Sequence, residues 1–128
     1  MQNDLPIYEL YAIRYAMRDA NRSEHFIGGD PHDSPMPMDY FVWLARCGDH
    51  NVLIDTGFTE VVAVRRGRQF LHCPIDTLAA LGVAADTIQD IILTHLHYDH
   101  SGNFDQFANA SFHLQEKELQ FATGKYMR

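Results

Sequence analysis

Residues 91–103 read Ile91-Ile92-Leu93-Thr94-His95-Leu96-His97-Tyr98-Asp99-His100-Ser101-Gly102-Asn103, and this stretch decides the fold and the chemistry together. The apolar run Ile91-Ile92-Leu93 is bounded by polar residues and has strand length, so residues 88–93 are expected to form a central, buried strand. His95-Leu96-His97-Tyr98-Asp99-His100 then places four potential metal ligands in six positions. At a strand end, His95 and His97 are two apart and leave the same face, so both imidazoles can reach one ion. Asp99 and His100 continue into the turn, where a change of direction can aim them at an adjacent second site. Two imidazoles suit Zn²⁺ and other borderline ions, and a carboxylate with an imidazole suits Zn²⁺, Mn²⁺ or Fe²⁺. A lone His usually decorates a surface or sits satisfied in a core. Three His and an Asp between an apolar strand and Ser-Gly-Asn are not explained that way. The carboxyl end of a buried strand is also where α/β sheets keep their sites.

Working outward, residues 7–16 (IYELYAIRYA) alternate like a first strand. Residues 18–38 carry Gly28-Gly29, Pro31, Pro35 and Pro37 and read as a long loop. Residues 40–45 (YFVWLA) and 52–54 (VLI), split by turn residues around Gly48-Asp49, predict a hairpin of two well-buried strands. The second runs into Asp55-Thr56-Gly57. Residues 58–71 show no clear period and read as loop with some helix. Residues 74–81 (PIDTLAAL) predict a helix with Pro at its start and Gly82 after its end. A short helical piece is expected at 104–107, a strand at 110–114 and a helix at 115–122, stopped by Gly124. Strands alternate with helices, so the class is α/β or α+β.

Composition narrows the function. Of 128 residues, 10 are Lys or Arg and 17 are Asp or Glu, a formal charge of −7. That argues against nucleic acid as a partner and against a polybasic membrane surface. No run of about 18 apolar residues exists, so no membrane span is expected. The start lacks the pattern of a secretory signal, and two cysteines, Cys47 and Cys73, are too few for a disulfide framework. The expected setting is cytoplasmic, with reduced thiols.

The segment Thr94-His95-Leu96-His97-Tyr98-Asp99-His100-Ser101-Gly102 resembles the His-x-His-x-Asp-His signature of the metallo-β-lactamase superfamily. Val52-Leu53-Ile54-Asp55-Thr56-Gly57 resembles the strand and Asp-Thr-Gly turn that precede it there. The flanking pattern, from Tyr40-Phe41-Val42-Trp43-Leu44 to Phe112-His113-Leu114-Gln115, is similar to the N-acyl-homoserine lactonase family. The resemblance implies an αββα sandwich with a dinuclear site, usually zinc, at its edge. His95 and His97 would bind the first metal, and Asp99 and His100 the second. Asp55 would hold the site from behind by hydrogen bonds. A metal-activated hydroxide would attack the carbonyl of a small-molecule lactone, with Asp99 a catalytic proton shuttle to the leaving alkoxide. The resemblance also implies three more ligands in a second half-domain: a distant His, a bridging Asp and a last His. His25, His32, His50, His72 and His113 match none of them. Residues 1–128 are therefore expected to be one domain of this type, truncated after its N-terminal half, with a homo-oligomer or partner chain able to complete the fold.

The other residues read more blandly. His50 and His113 are expected at the surface, Tyr98 to pack, and Phe41 and Trp43 to lie in the core. Phe58 and Phe70 are weak candidates for an acyl pocket, and Met36 and Met38 for an adaptable rim. Arg65, Arg66 and Arg68 read as a solvated face, and neither cysteine as a catalytic thiol. Alternative functions are another hydrolase of the same fold, acting on a β-lactam, thioester or phosphodiester, and a metal-binding half-domain inactive on its own.

Overall fold

The computed structural model describes residues 5–125. Most of the chain start that was read for a leader pattern, residues 1–4, lies outside them, as do residues 126–128. Strands β1 (Glu9–Arg18), β2 (Met38–Cys47), β3 (His50–Ile54), β4 (Gln69–Phe70), β5 (Asp90–Ile92) and β6 (Ser111–His113) form one sheet in the order β4-β1-β2-β3-β5-β6. Pairing is antiparallel from β4 to β3 and parallel across β3-β5-β6. Helices α1 (Glu60–Arg66), α2 (Pro74–Ala80) and α3 (Glu116–Thr123) lie in the connections. A parallel pair needs a long crossover, and α1, β4 and α2 supply the one between β3 and β5.

The β2–β3 hairpin turns at Gly48-Asp49, with Cys47 opposite His50. Gly48 has φ 58°, the left-handed conformation that a two-residue hairpin turn requires and glycine adopts freely. The segment after Asp55-Thr56-Gly57 holds a full helix where the sequence shows no period. Three valines weaken α1, and its ends define it instead. Thr59 accepts a bond from Val62 N at the start, and Gly67 closes the end at φ 63°. Helix α2 begins at Pro74 and buries Leu78, as its pattern predicts. Helix α3 ends at Gly124, whose backbone is extended rather than left-handed.

One face of the sheet carries the core. Ile13, Tyr15, Tyr40, Val42, Leu44, Leu53 and Ile91 pack with Ala63 of α1, Leu78 of α2, and Val83, Ile88 and Phe107 from the connections. Each such aliphatic side chain contributes about 1.5–3 kcal/mol by burial. The opposite face is open. Leu10, Trp43 and Ile92 are 68%, 42% and 43% exposed, and the register aligns Trp43 with Ile54 and Ile54 with Ile92. The hairpin strands are thus buried on one side only, and Trp43 and Phe41 are not core residues: strand alternation sends them to the face that the helices do not cover. Strand β5 is also less central than expected, lying one strand from the edge. Residues 18–38 form the expected loop, clasped by an Arg22–Asp30 ion pair at 2.8 Å and an Asn21–Pro35 bridge.

Candidate metal centre

Parallel pairing of β3 with β5 sets their carboxyl ends side by side, which places Asp55 against the loop that follows Leu93. Asp55 is 3% exposed and has φ 62°, a left-handed backbone that Asp tolerates better than most residues. Its Oδ1 accepts from Thr94 N at 2.8 Å, and its Oδ2 accepts from the Thr94 hydroxyl at 2.8 Å. The same Oδ2 lies 2.8 Å from His100 Nδ1. A buried carboxylate needs such partners.

The loop gathers the four expected ligands. The His95 ring lies 4.5 Å from that of His97 and 4.1 Å from that of His100, between centroids. Asp99 Oδ2 lies 3.2 Å from His100 Nε2. Among the described residues, no three His, Cys, Asp or Glu donors converge as a ready cage. Here Asp99 and His100 face each other directly, in contact rather than around a common point. The donor chemistry nevertheless suits a borderline divalent ion: three imidazoles and a carboxylate share one patch. A buried carboxylate also holds His100 by Nδ1, as the outer partners of metal-binding histidines do.

The electrostatics follow from these contacts. Hydrogen bonds to Asp55 and Asp99 raise the His100 pKa to about 9. Burial works to raise both carboxyls. The hydrogen bonds from His100, joined at Asp55 by those from Thr94, outweigh it, so both stay below the usual range. Burial, together with the neighbouring His100 and His97, lowers the pKa of His95. That favours the neutral imidazole, the form that binds metal.

The Asp-Thr-Gly turn is stitched to the loop. Thr56 N donates to His100 O at 2.9 Å, and Asn103 Nδ2 donates to Thr56 O at 2.9 Å. Gly102 N donates to Gly57 O at 2.8 Å, and a Cβ on Gly102 would sit 2.5 Å from that oxygen. Tyr98 packs as expected, stacked on Phe58 at 5.6 Å. Its other contacts revise the arginine reading. The Arg66 guanidinium sits 3.7 Å from the Tyr98 ring centroid, and Arg68 Nε donates to its hydroxyl at 3.1 Å. Glu118 of α3 accepts from Leu96 N at 2.9 Å, and Tyr15 of β1 donates to Asp99 O at 2.7 Å. Sequence reasoning missed Tyr15 and Glu118 because both act across the fold on backbone atoms.

The remaining assignments separate cleanly. Phe58 is fully buried and lines no acyl pocket. A cleft of about 240 Å³ beside Asp99 and His100 is instead lined by Met38, Asp39, Tyr40, Phe41 and Trp43. A larger depression of about 550 Å³ on the open sheet face includes His50, Asp90 and His113 and none of the four ligands. His50 and His113 are exposed, and both reach Asp90, at 3.5 and 2.8 Å. Cys47 and Cys73 are unpaired. No helix among the described residues is long and apolar enough to cross a membrane.

Comparison with known proteins gives the chain its relatives in sequence and in fold. The chain is 26% identical over 106 residues to the N-acyl homoserine lactonase AttM of Rhizobium radiobacter, covering 73% of this chain and 40% of AttM. It is 30% identical over 102 residues to the N-acyl homoserine lactonase AiiB of Agrobacterium fabrum (strain C58 / ATCC 33970), covering 66% of this chain and 37% of AiiB. A crystal structure of a quorum-quenching N-acyl homoserine lactone lactonase superposes with a TM-score of 0.74 at 21% identity, covering 95% of this chain and 51% of that one. AidC, a dizinc quorum-quenching lactonase in complex with a product, superposes at 0.66 and 22%, covering 92% of this chain and 45% of AidC. The chain thus spans less than half the length of these curated relatives. The resemblance to N-acyl-homoserine lactonases holds in sequence and in fold. Residues 36–118, which run from β2 through the histidine loop into α3, match the family model of the metallo-beta-lactamase superfamily, and the chain belongs to that superfamily.

Proposed function

We propose that this chain carries the first half of the active site of a metal-dependent hydrolase that opens a lactone ring, of the N-acyl-homoserine lactonase kind. The observation that carries the reading is the Asp55–His100–Asp99 chain of contacts beside His95 and His97, at the carboxyl ends of β3 and β5. His95 and His97 would hold one ion, and Asp99 and His100 a second; zinc fits this donor set and is the metal named for AidC. When bound, such an ion supplies Lewis-acid chemistry, lowering the pKa of water and polarising a carbonyl oxygen.

The chain's own residues do the rest. Asp55 orients His100 through Nδ1 and leaves Nε2 as the ligating nitrogen. Asp99 would take up the proton that the attacking water loses and hand it to the leaving alkoxide. The cleft of Met38, Phe41 and Trp43 beside Asp99 offers apolar surface to an acyl substrate. Four ligands over two ions leave each with two, where catalytic zinc sites normally have three protein ligands and a water. The open face with Leu10, Trp43 and Ile92 is where a second half-domain, in the same or a partner chain, would pack. The two unpaired cysteines fit a cytoplasmic setting, and the charge of −7 fits a reading without nucleic acid as partner.

The test is metal analysis with lactone hydrolysis, on the 128-residue chain and on a form extended by a second half. Weak metal retention and little turnover are expected of the former, and two ions with lactone opening of the latter. Two tightly held ions with full turnover in the 128-residue chain would overturn the half-site reading. An extended form that cleaves β-lactams, thioesters or phosphodiesters but no lactone would overturn the substrate.

A further inference from the structure

We propose that Tyr15 is a positioning residue for the second metal position: its hydroxyl, donated to the Asp99 carbonyl, sets the direction of the Asp99 and His100 side chains. The inference rests on the metal-site reading above and adds to it a residue from outside the histidine loop and the Asp-Thr-Gly turn.

Three observations converge on Tyr15. First, it sits at a bulge. Arg14 pairs with Phe41 and Ala16 with Tyr40, so Tyr15 is the extra residue of β1. A bulge breaks strand alternation and re-aims a side chain, and such features recur next to active sites. Second, Tyr15 is fully buried, with its ring edge-on to Phe58 at 4.9 Å. A Cβ on Gly57 would come within 3.1 Å of Tyr15 Cζ, so the glycine of the Asp-Thr-Gly turn is what lets the ring pass. Third, the hydroxyl reaches Asp99 O at 2.7 Å from 84 residues away.

That carbonyl belongs to the peptide joining Asp99 to His100. The N–H of the same peptide donates to His97 O at 3.0 Å. The peptide is therefore pinned at both its oxygen and its nitrogen. The next carbonyl, of His100, is taken by Thr56 N at 2.9 Å. With both oxygens held by groups from other elements, the Cα–Cβ directions of Asp99 and His100 have little freedom. Removing the hydroxyl releases one of these pins and leaves the ring packing intact.

The experiment is a Co²⁺ titration of the full chain read by visible absorption, which reports coordination geometry, alongside thermal unfolding. Wild type is compared with Tyr15→Phe and with Tyr11→Phe, which removes an exposed tyrosine hydroxyl bonded to Glu9. Leu78→Ala, in the buried face of α2, serves as the packing control. Tyr15→Phe is expected to weaken Co²⁺ binding about 10-fold, the scale seen when an outer partner of a ligand is lost, and to shift the cobalt bands. Tyr11→Phe should leave binding and bands unchanged, and Leu78→Ala should lower Tm without moving the bands. As a second probe that keeps the hydroxyl and nearly all of the ring's shape, site-specific fluorination of the Tyr15 ring changes the donor strength of the hydroxyl and should also move the bands. Identical affinity and bands in wild type and both altered Tyr15 forms would overturn the inference alone. A wild type without any cobalt band would overturn the metal reading, and this inference with it.

Discussion

Asp55 Oδ2 and His100 Nδ1 meet at 2.8 Å across 45 positions of sequence, and this bond couples the turn after β3 to the loop after β5. Replacing Asp55 by Ala strips partners from His100 Nδ1, Thr94 N and the Thr94 hydroxyl at once. Unsatisfied buried groups cost about 1–3 kcal/mol each. Asp55→Ala is expected to destabilise the fold by at least about 1–3 kcal/mol, read as a lower urea midpoint, and to abolish metal retention. Asp55→Asn, which keeps an acceptor and tolerates the left-handed backbone, should lose less stability. Equal midpoints for Asp55→Ala and wild type would contradict the coupling.

Gly102 is set by space rather than by backbone angle. Its Cβ would fall 2.5 Å from the Gly57 carbonyl oxygen, a backbone atom with nowhere to retreat. Gly102→Ala should therefore destabilise by about 1–3 kcal/mol, the usual cost of overpacking. Gly28→Ala would meet nothing within 4 Å, though its φ of 86° adds backbone strain. Thermal unfolding of Gly102→Ala at the wild-type Tm would show that the two turns do not touch as described.

The two faces of β2 should respond oppositely to truncation. Leu44 is fully buried, and Leu44→Ala should cost about 2–5 kcal/mol. Trp43, on the open face, should cost far less in Trp43→Ser, and the variant should be more soluble because an exposed apolar patch is broken. Chemical denaturation and static light scattering read both effects. A larger stability loss at Trp43 would mean that this face is covered in solution.

Asp90 provides the pH test. Hydrogen bonds from His113 and His50 hold its pKa below the usual carboxylate value. A lowered folded pKa contributes stability above the unfolded value of 3.8, and that contribution is lost as pH falls through the lowered pKa. NMR titration of the Asp90 carboxyl should show the low value. In His113→Ala it should move back up, and the acid-side loss of stability should shrink, because the folded and unfolded values then lie closer together. A titration of Asp90 unchanged by His113→Ala would remove the pairing.

Much of this was legible in order along the chain. The hairpin at Gly48-Asp49, helix α2 between Pro74 and Gly82, and β5 before the histidines all follow from turn chemistry and apolar spacing, which are local. Helix α1 was hidden because valines dilute its period, and its identity rests on Thr59 and Gly67 at its ends. Trp43 and Phe41 misled because an apolar strand reads the same whether one face or both are covered.

The histidine loop is a local signal: residue types and a spacing of two and three positions suffice to mark His95, His97, Asp99 and His100 as candidate ligands. Only the tertiary structure decided how those side chains are aimed. Parallel pairing of β3 with β5 brought Asp55 to His100, and the bulge in β1 brought Tyr15 to Asp99. These are contacts between groups 45 and 84 residues apart. They depend on the register between strands that no short turn joins, β1 with β2 and β3 with β5, and that register is settled only when the sheet assembles.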